Sequence, residues 1–261
     1  MGRPPIEWPI PAYVAEFRER VVLTFRVPGP LLARLVPAPL APQLVGGRSV
    51  VCLALSSGRC LKPLGGASCL VSDFHTAELY TPVRWQGACR EALLGSLLLG
   101  FRTDSHSLAR LLRKGVQMPA ETGTHSQGGE GKEYLISLGA DLELRLVREG
   151  DEAPWPTDSV FASAEAAEIH VLHPQSHFVP ESGGRAVHEV PVHEYARKTT
   201  PVALHGCRAP LVERWLGADA HELTVDHVMF RKRCTHTWSL PPERIPVAPR
   251  TAAPVRLAVA A

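Results

Sequence analysis

Residues 18–40 read RERVVLTFRVPGPLLARLVPAPL, and the punctuation of this stretch sets the architecture. Arg20 to Val27 is rich in β-branched residues and reads as a strand, which the run Val27-Pro28-Gly29-Pro30 brings to an end. Leu31 to Val36 then makes a short helix closed by Pro37. The same signals predict strands at Ser49–Leu55, Cys69–Tyr80, Ala92–Phe101, Glu133–Val147, Ala164–Leu172, Ala186–Tyr195 and Thr224–Leu240. Two more helices interrupt the series. One runs from Ser105 to Lys114, with Asp104 at the N-cap position and Gly115 as the stop; the other is Pro210–Leu216, ended by Gly217. Thr122–Lys132 is rich in Gly, Ser and His and reads as a mobile loop. The other gaps are short, which leaves no interdomain linker. A single α+β, predominantly β domain is expected over residues 1–261, with 1–14 and 247–261 peripheral.

Composition narrows the partners. The 261 residues are 45% hydrophobic and 21% charged, and 28 basic against 26 acidic residues leave a net charge of +2. That balance, dispersed along the chain, makes neither a nucleic-acid footprint nor a patch for an anionic membrane, so a small-molecule partner is expected. The longest oily stretch, Ala92 to Phe101, is about half the roughly 20 residues that a membrane span needs. The start Met1-Gly2-Arg3-Pro4 has no apolar core of signal-peptide length, and the six cysteines form no CxxC pair. A cytoplasmic chain with reduced thiols is therefore the expectation.

Cofactor signatures are missing. There is no GxGxxG or GxxxxGK[ST] cradle for a nucleotide and no GxSxG for an elbow serine, and the sequence has no helical HExxH. Of the 12 histidines, His170, His173 and His177 cluster, as do His188 and His193. On strands their odd spacings put each pair on opposite faces, so no metal is expected.

Three stretches, in order, resemble the acetoacetate decarboxylase family. The opening above, with its arginine, strand, helix and VPAPL ending, places Arg18 on the arginine that lines the family's active site. Thr76-Ala77-Glu78-Leu79-Tyr80-Thr81-Pro82-Val83 is similar to the family's strand ending in a PV pair. Asp104 through Arg113 to Met118-Pro119-Ala120-Glu121 resembles its aspartate, helix, arginine and proline-lysine-lysine segment. The resemblance implies a curved or barrel-like β body that encloses a cavity, with short peripheral helices, and a homo-oligomer.

The departures decide the expected chemistry. Family members depend on a lysine that forms a Schiff base with the substrate, and those lysine positions are Ala120 and Glu121 here. An alanine cannot form an imine. The family's strand glutamate is replaced by Thr76, but Glu78 lies two residues on. Alternation puts Thr76, Glu78 and Tyr80 on one face and His75 on the other.

The expected catalytic residues are thus Glu78, Arg18 and Glu121. Arg18 would grip a carboxylate or carbonyl through paired hydrogen bonds, or else lie on the surface paired with Glu16. Glu78, its pKa raised if buried, would move a proton, or else pair with an arginine such as Arg84 or Arg90. Glu121 stands where a carboxylate could serve as acid or base, or be solvated. Thr76, Tyr80, Met118, Ala120 and Arg113 would complete the substrate-binding wall, with bridging of helix and sheet as the structural alternative for Arg113. The function expected is that of an enzyme without cofactor or Schiff base, acting on a small keto acid, acyl or polyketide-like compound. The alternative is a non-catalytic binder that keeps the cavity.

Overall fold

A computed structural model describes residues 13–85, 93–115, 118–130, 132–147, 153–171, 176–181, 186–196, 199–238 and 243–247. Expectations for residues 1–12 and 248–261, Arg90 and His173 lie outside them. The strands are β1 (Tyr13–Val27), β2 (Leu40–Pro42), β3 (Ser49–Pro63), β4 (Val71–Trp85), β5 (Leu93–Thr103), β6 (Glu121–Thr122), β7 (Ser126–Gly128), β8 (Glu133–Ser137), β9 (Glu143–Val147), β10 (Ser176–Pro180), β11 (Ala186–Ala196), β12 (Thr199–Pro201), β13 (Ala203–Arg208), β14 (Thr224–Trp238) and β15 (Glu243–Pro246). The helices are α1 (Gly29–Leu35), α2 (His106–Gly115), α3 (Ala164–Val171) and α4 (Pro210–Leu216).

Seven strands close on themselves. The pairing runs β14, β1, β3, β4, β5, β10, β11 and back to β14, antiparallel throughout except for the parallel pair β5 and β10. A closed ring has no exposed edge, and its curvature gives an inside as well as an outside. The two faces explain why residues 21–25 are buried without a break. Val21, Leu23 and Phe25 point outward into a core shared with Tyr134, Ile136 and Leu144 of a second, four-stranded sheet (β13, β9, β8, β7), while Val22 and Thr24 point into the barrel. Both faces are buried, so the strand does not alternate.

Short helices cover the two ends. Leu108 and Ala109 of α2 join Ala15, Phe17 and Phe74 at one end; Ala167 and Val171 of α3 join Val22, Tyr80 and Met229 at the other. No described helix is long and apolar enough to cross a membrane.

Several expectations are corrected. Ala164–Val171 is a helix, because Ser163 caps it through the Ala166 amide at 3.2 Å and alanines and glutamates fill it. Residues 133–147 form a hairpin rather than one strand, turned at Gly139, whose φ of 64° suits glycine. The segment 122–130 is anchored, since Ser126–Gly128 pairs with β8. Asp104 does not cap α2: Ser105 does, accepting from the Leu108 amide at 3.2 Å, whereas the Asp104 carboxylate accepts from the His75 amide at 2.8 Å and contacts His75 Nδ1 at 2.7 Å. Cys60 and Cys69 are joined as a disulfide across the β3 and β4 hairpin, against the expectation of reduced thiols. Chain folding brought together two cysteines that sequence spacing gave no reason to pair.

Candidate functional site

At the α2 end the barrel holds a cavity of about 140 Å³. Its wall is mainly apolar and aromatic, including Phe17, Phe74, Phe101 and Trp238, and its polar side chains include Thr76, Glu78 and His177. Thr76 and Glu78 share the inner face of β4 as alternation requires. The Thr76 hydroxyl donates to Glu78 Oε1 at 3.1 Å, and Arg20 Nη2 lies 3.5 Å from Glu78 Oε2. Arg20 is 2% exposed.

The arginine behind Glu78 is Arg20, where the sequence reading placed Arg18. The reason is a β-bulge. Against β3, Phe17 pairs with Gly58 and Glu19 with the next residue, Ser57, so that Arg18 is left over. One extra residue inverts the alternation, so Phe17 and Arg20 both face inward while Arg18 turns out to solvent and pairs with Asp73.

Arg20 belongs to a buried layer of charge between the two apolar ends. Its Nη1 lies 3.4 Å from His236 Nε2, which is 3.0 Å from Glu194 Oε2. The other Glu194 oxygen accepts from Arg231, whose guanidinium also donates to Glu168 and to Thr199, both at 2.6 Å. Burial opposes the Arg20 charge, but Glu78 and Glu194 outweigh it and hold its pKa above the ordinary value. Burial likewise opposes the Glu194 charge, which His236, then Arg20 and Arg231, hold well below the usual carboxylate range.

His177 in the cavity wall has no such rescue: burial pushes its pKa down to about 4, with the Glu78 charge opposing and His236 and Arg20 adding to the fall. It is a neutral imidazole at pH 7. The unfolded chain accepts this proton near pH 6.5, before the folded one does, so the His177 contribution to stability is complete above about pH 6.5 and lost as the pH falls toward 4. Glu194 acts in the same direction below about pH 4.5. Urea unfolding should give a midpoint that falls between pH 6.5 and 4, and His177→Gln should flatten that fall.

Glu194, Cys234 and His236 offer donor atoms within 4.8 Å of one another. Their chemistry favours a hydrogen-bonded charge layer over a cation site, because His236 and Arg231 already engage the Glu194 carboxylate and burial pushes the Cys234 thiol up to about 11.

No family model and no curated protein matches the chain. Solved structures do. An acetoacetate decarboxylase from Legionella pneumophila superposes with a TM-score of 0.62 at 13% identity, over 95% of this chain and 92% of that one. The chain has the acetoacetate decarboxylase fold. An acetoacetate decarboxylase-like enzyme from Sphingomonas wittichii gives 0.57 at 12%, over 91% and 94%. The enduracididine biosynthesis enzyme MppR, complexed with pyruvate, gives 0.53 at 16%, over 92% and 91%.

In this acetoacetate decarboxylase-like barrel, Met118 lines the cavity and Ala120 is buried in the same apolar cluster. None of the described lysines lines it: Lys62 pairs with Glu16, and Lys114, Lys132 and Lys232 are exposed. The remaining expected site residues lie elsewhere. Glu121 is exposed on the outside, accepting from Trp215 Nε1 at 2.9 Å and Arg214 at 3.2 Å. Arg113 donates to the Ala120 carbonyl, Nε at 3.1 Å, and so takes its structural alternative. Tyr80 is fully buried behind the wall, its hydroxyl donating to the Val171 carbonyl at 3.2 Å. Arg20, His177, Glu194, Arg231 and His236 are the residues that sequence reasoning missed. For Arg20 and Arg231 a signal existed: each borders an apolar run within its strand, Val21–Leu23 after Arg20 and Val228–Phe230 before Arg231.

Proposed function

We propose that this protein is an enzyme that moves protons on a small carbonyl compound of keto-acid, acyl or polyketide-like type, without an imine intermediate. The observation that carries the reading is a Glu78 carboxylate set in an apolar cavity wall, with Arg20 behind one oxygen and Thr76 on the other. The neighbour complexed with pyruvate supports a small carbonyl ligand for this fold.

In the step we envisage, Glu78 accepts a proton from the carbon next to the carbonyl. The C–H electron pair becomes the C=C bond of an enolate, and the carbonyl π pair moves onto oxygen. An N–H of neutral His177 donates to that oxygen. Return of the proton at another carbon completes an isomerisation; its delivery to a departing β-hydroxyl, lost as water, completes a dehydration. A positioned group of this kind contributes roughly 10²–10⁴-fold. The homo-oligomer that the resemblance implies and the cytoplasmic location expected from the sequence belong to the same reading.

The test is deuterium exchange at the carbons flanking the carbonyl of 2-butanone, followed by NMR. Exchange faster than in buffer supports the reading. Borohydride added with acetoacetate should leave the protein mass unchanged, and a covalent adduct would overturn the absence of an imine. A second reading, a binder, draws on the occupation of both Glu78 oxygens by protein donors; ligand binding without any exchange would establish it.

A further inference from the structure

We propose that the cavity selects an uncharged carbonyl compound over an anionic keto acid. This rests on the reading of the cavity as the substrate site and sharpens it.

Among the described residues Glu78 is the one charged side chain in the wall. Arg20, the guanidinium nearest to it, does not line the cavity and already faces Glu78 at 3.5 Å. Among the described residues, the layer behind holds two guanidiniums, Arg20 and Arg231, against three carboxylates, Glu78, Glu168 and Glu194. Even a proton on His236 brings that layer only to neutrality. His177 is neutral at pH 7, since burial pushes its pKa down to about 4.

A bound carboxylate would therefore leave water for an aromatic wall, find no unmatched cation there, and meet the Glu78 charge. A neutral ketone needs only one donor, and the wall has the His177 imidazole, the Thr76 hydroxyl being given to Glu78. Size agrees with a compact ligand: 140 Å³ is close to the roughly 150 Å³ of an apolar protein cavity that holds benzene. Phe17, Phe74, Phe101 and Trp238 suit an apolar body next to the carbonyl.

Acetylacetone and acetoacetate isolate the variable, because they have the same number of heavy atoms and differ in a methyl group against a carboxylate oxygen. Calorimetric titration of the full chain at neutral pH should give acetylacetone a Kd at least about tenfold lower. Glu78→Gln should narrow that ratio by strengthening acetoacetate. Acetoacetate binding wild-type protein as tightly as acetylacetone overturns the proposal, as does a ratio that the Glu78→Gln variant leaves unchanged. Failure of both compounds to bind at millimolar concentration overturns it together with the reading of the cavity. A protein that prefers acetylacetone yet catalyses no deuterium exchange keeps this inference and loses the enzymatic one; exchange with a preference for acetoacetate does the reverse.

Discussion

Glu78→Gln should lower the 2-butanone exchange rate by about 10²–10⁴-fold, the range that a positioned proton-transfer group supplies. Glutamine keeps the shape of the side chain and an oxygen that can accept from Arg20 or Thr76, so the cavity persists while the basic group is gone. NMR exchange rates measure the effect, and circular dichroism confirms that the variant is folded. Arg18→Ala is the matching control. Arg18 is exposed and paired with Asp73 on the outside of the bulge, so its loss should change the rate less than about twofold and stability by less than about 1 kcal/mol. A Glu78→Gln rate equal to wild type removes Glu78 from the chemistry and leaves the binder.

The largest stability effect should come from Arg231→Met. Arg231 is fully buried and holds Glu194 and Glu168 together. Methionine fills the space without the charge, leaving Glu194 to His236 and Arg20 alone. Breaking one partner out of a buried ion pair costs roughly 3–5 kcal/mol, far more than an exposed pair, because the remaining charge stays desolvated. Thermal unfolding should show Tm lowered by roughly 6–20 °C. A shift within about 3 °C would mean that the layer relaxes around the loss and that its charges are solvated in the native state.

The barrel strands were largely legible. Residues 20–27, 186–195 and 224–240 read as β-branched runs, and the structure has strands there at Tyr13–Val27, Ala186–Ala196 and Thr224–Trp238. Residues 164–172 misled, because three alanines, an isoleucine, a valine and a leucine are apolar enough for a buried strand; Ser163 and the barrel end it covers make Ala164–Val171 a helix. Of the site, Glu78 and Thr76 were legible, since a period of two on β4 needs no tertiary information, and Met118 came from the family resemblance of its segment. Arg18 and Glu121 were misplaced for opposite reasons: the bulge at Arg18 shifts parity within a strand, while Glu121 is drawn outward by Trp215 and Arg214, which are distant in sequence.

The sequence by itself determined that residue 120 cannot form an imine and that a carboxylate on β4 faces the same way as Thr76, because side-chain chemistry and strand alternation are local properties. Only the tertiary structure decided which arginine stands behind that carboxylate and that Glu194, Arg231 and His236 form one layer with it. Barrel closure through β11 and β14 sets those neighbours, and pairing across such distances leaves no local trace in the chain.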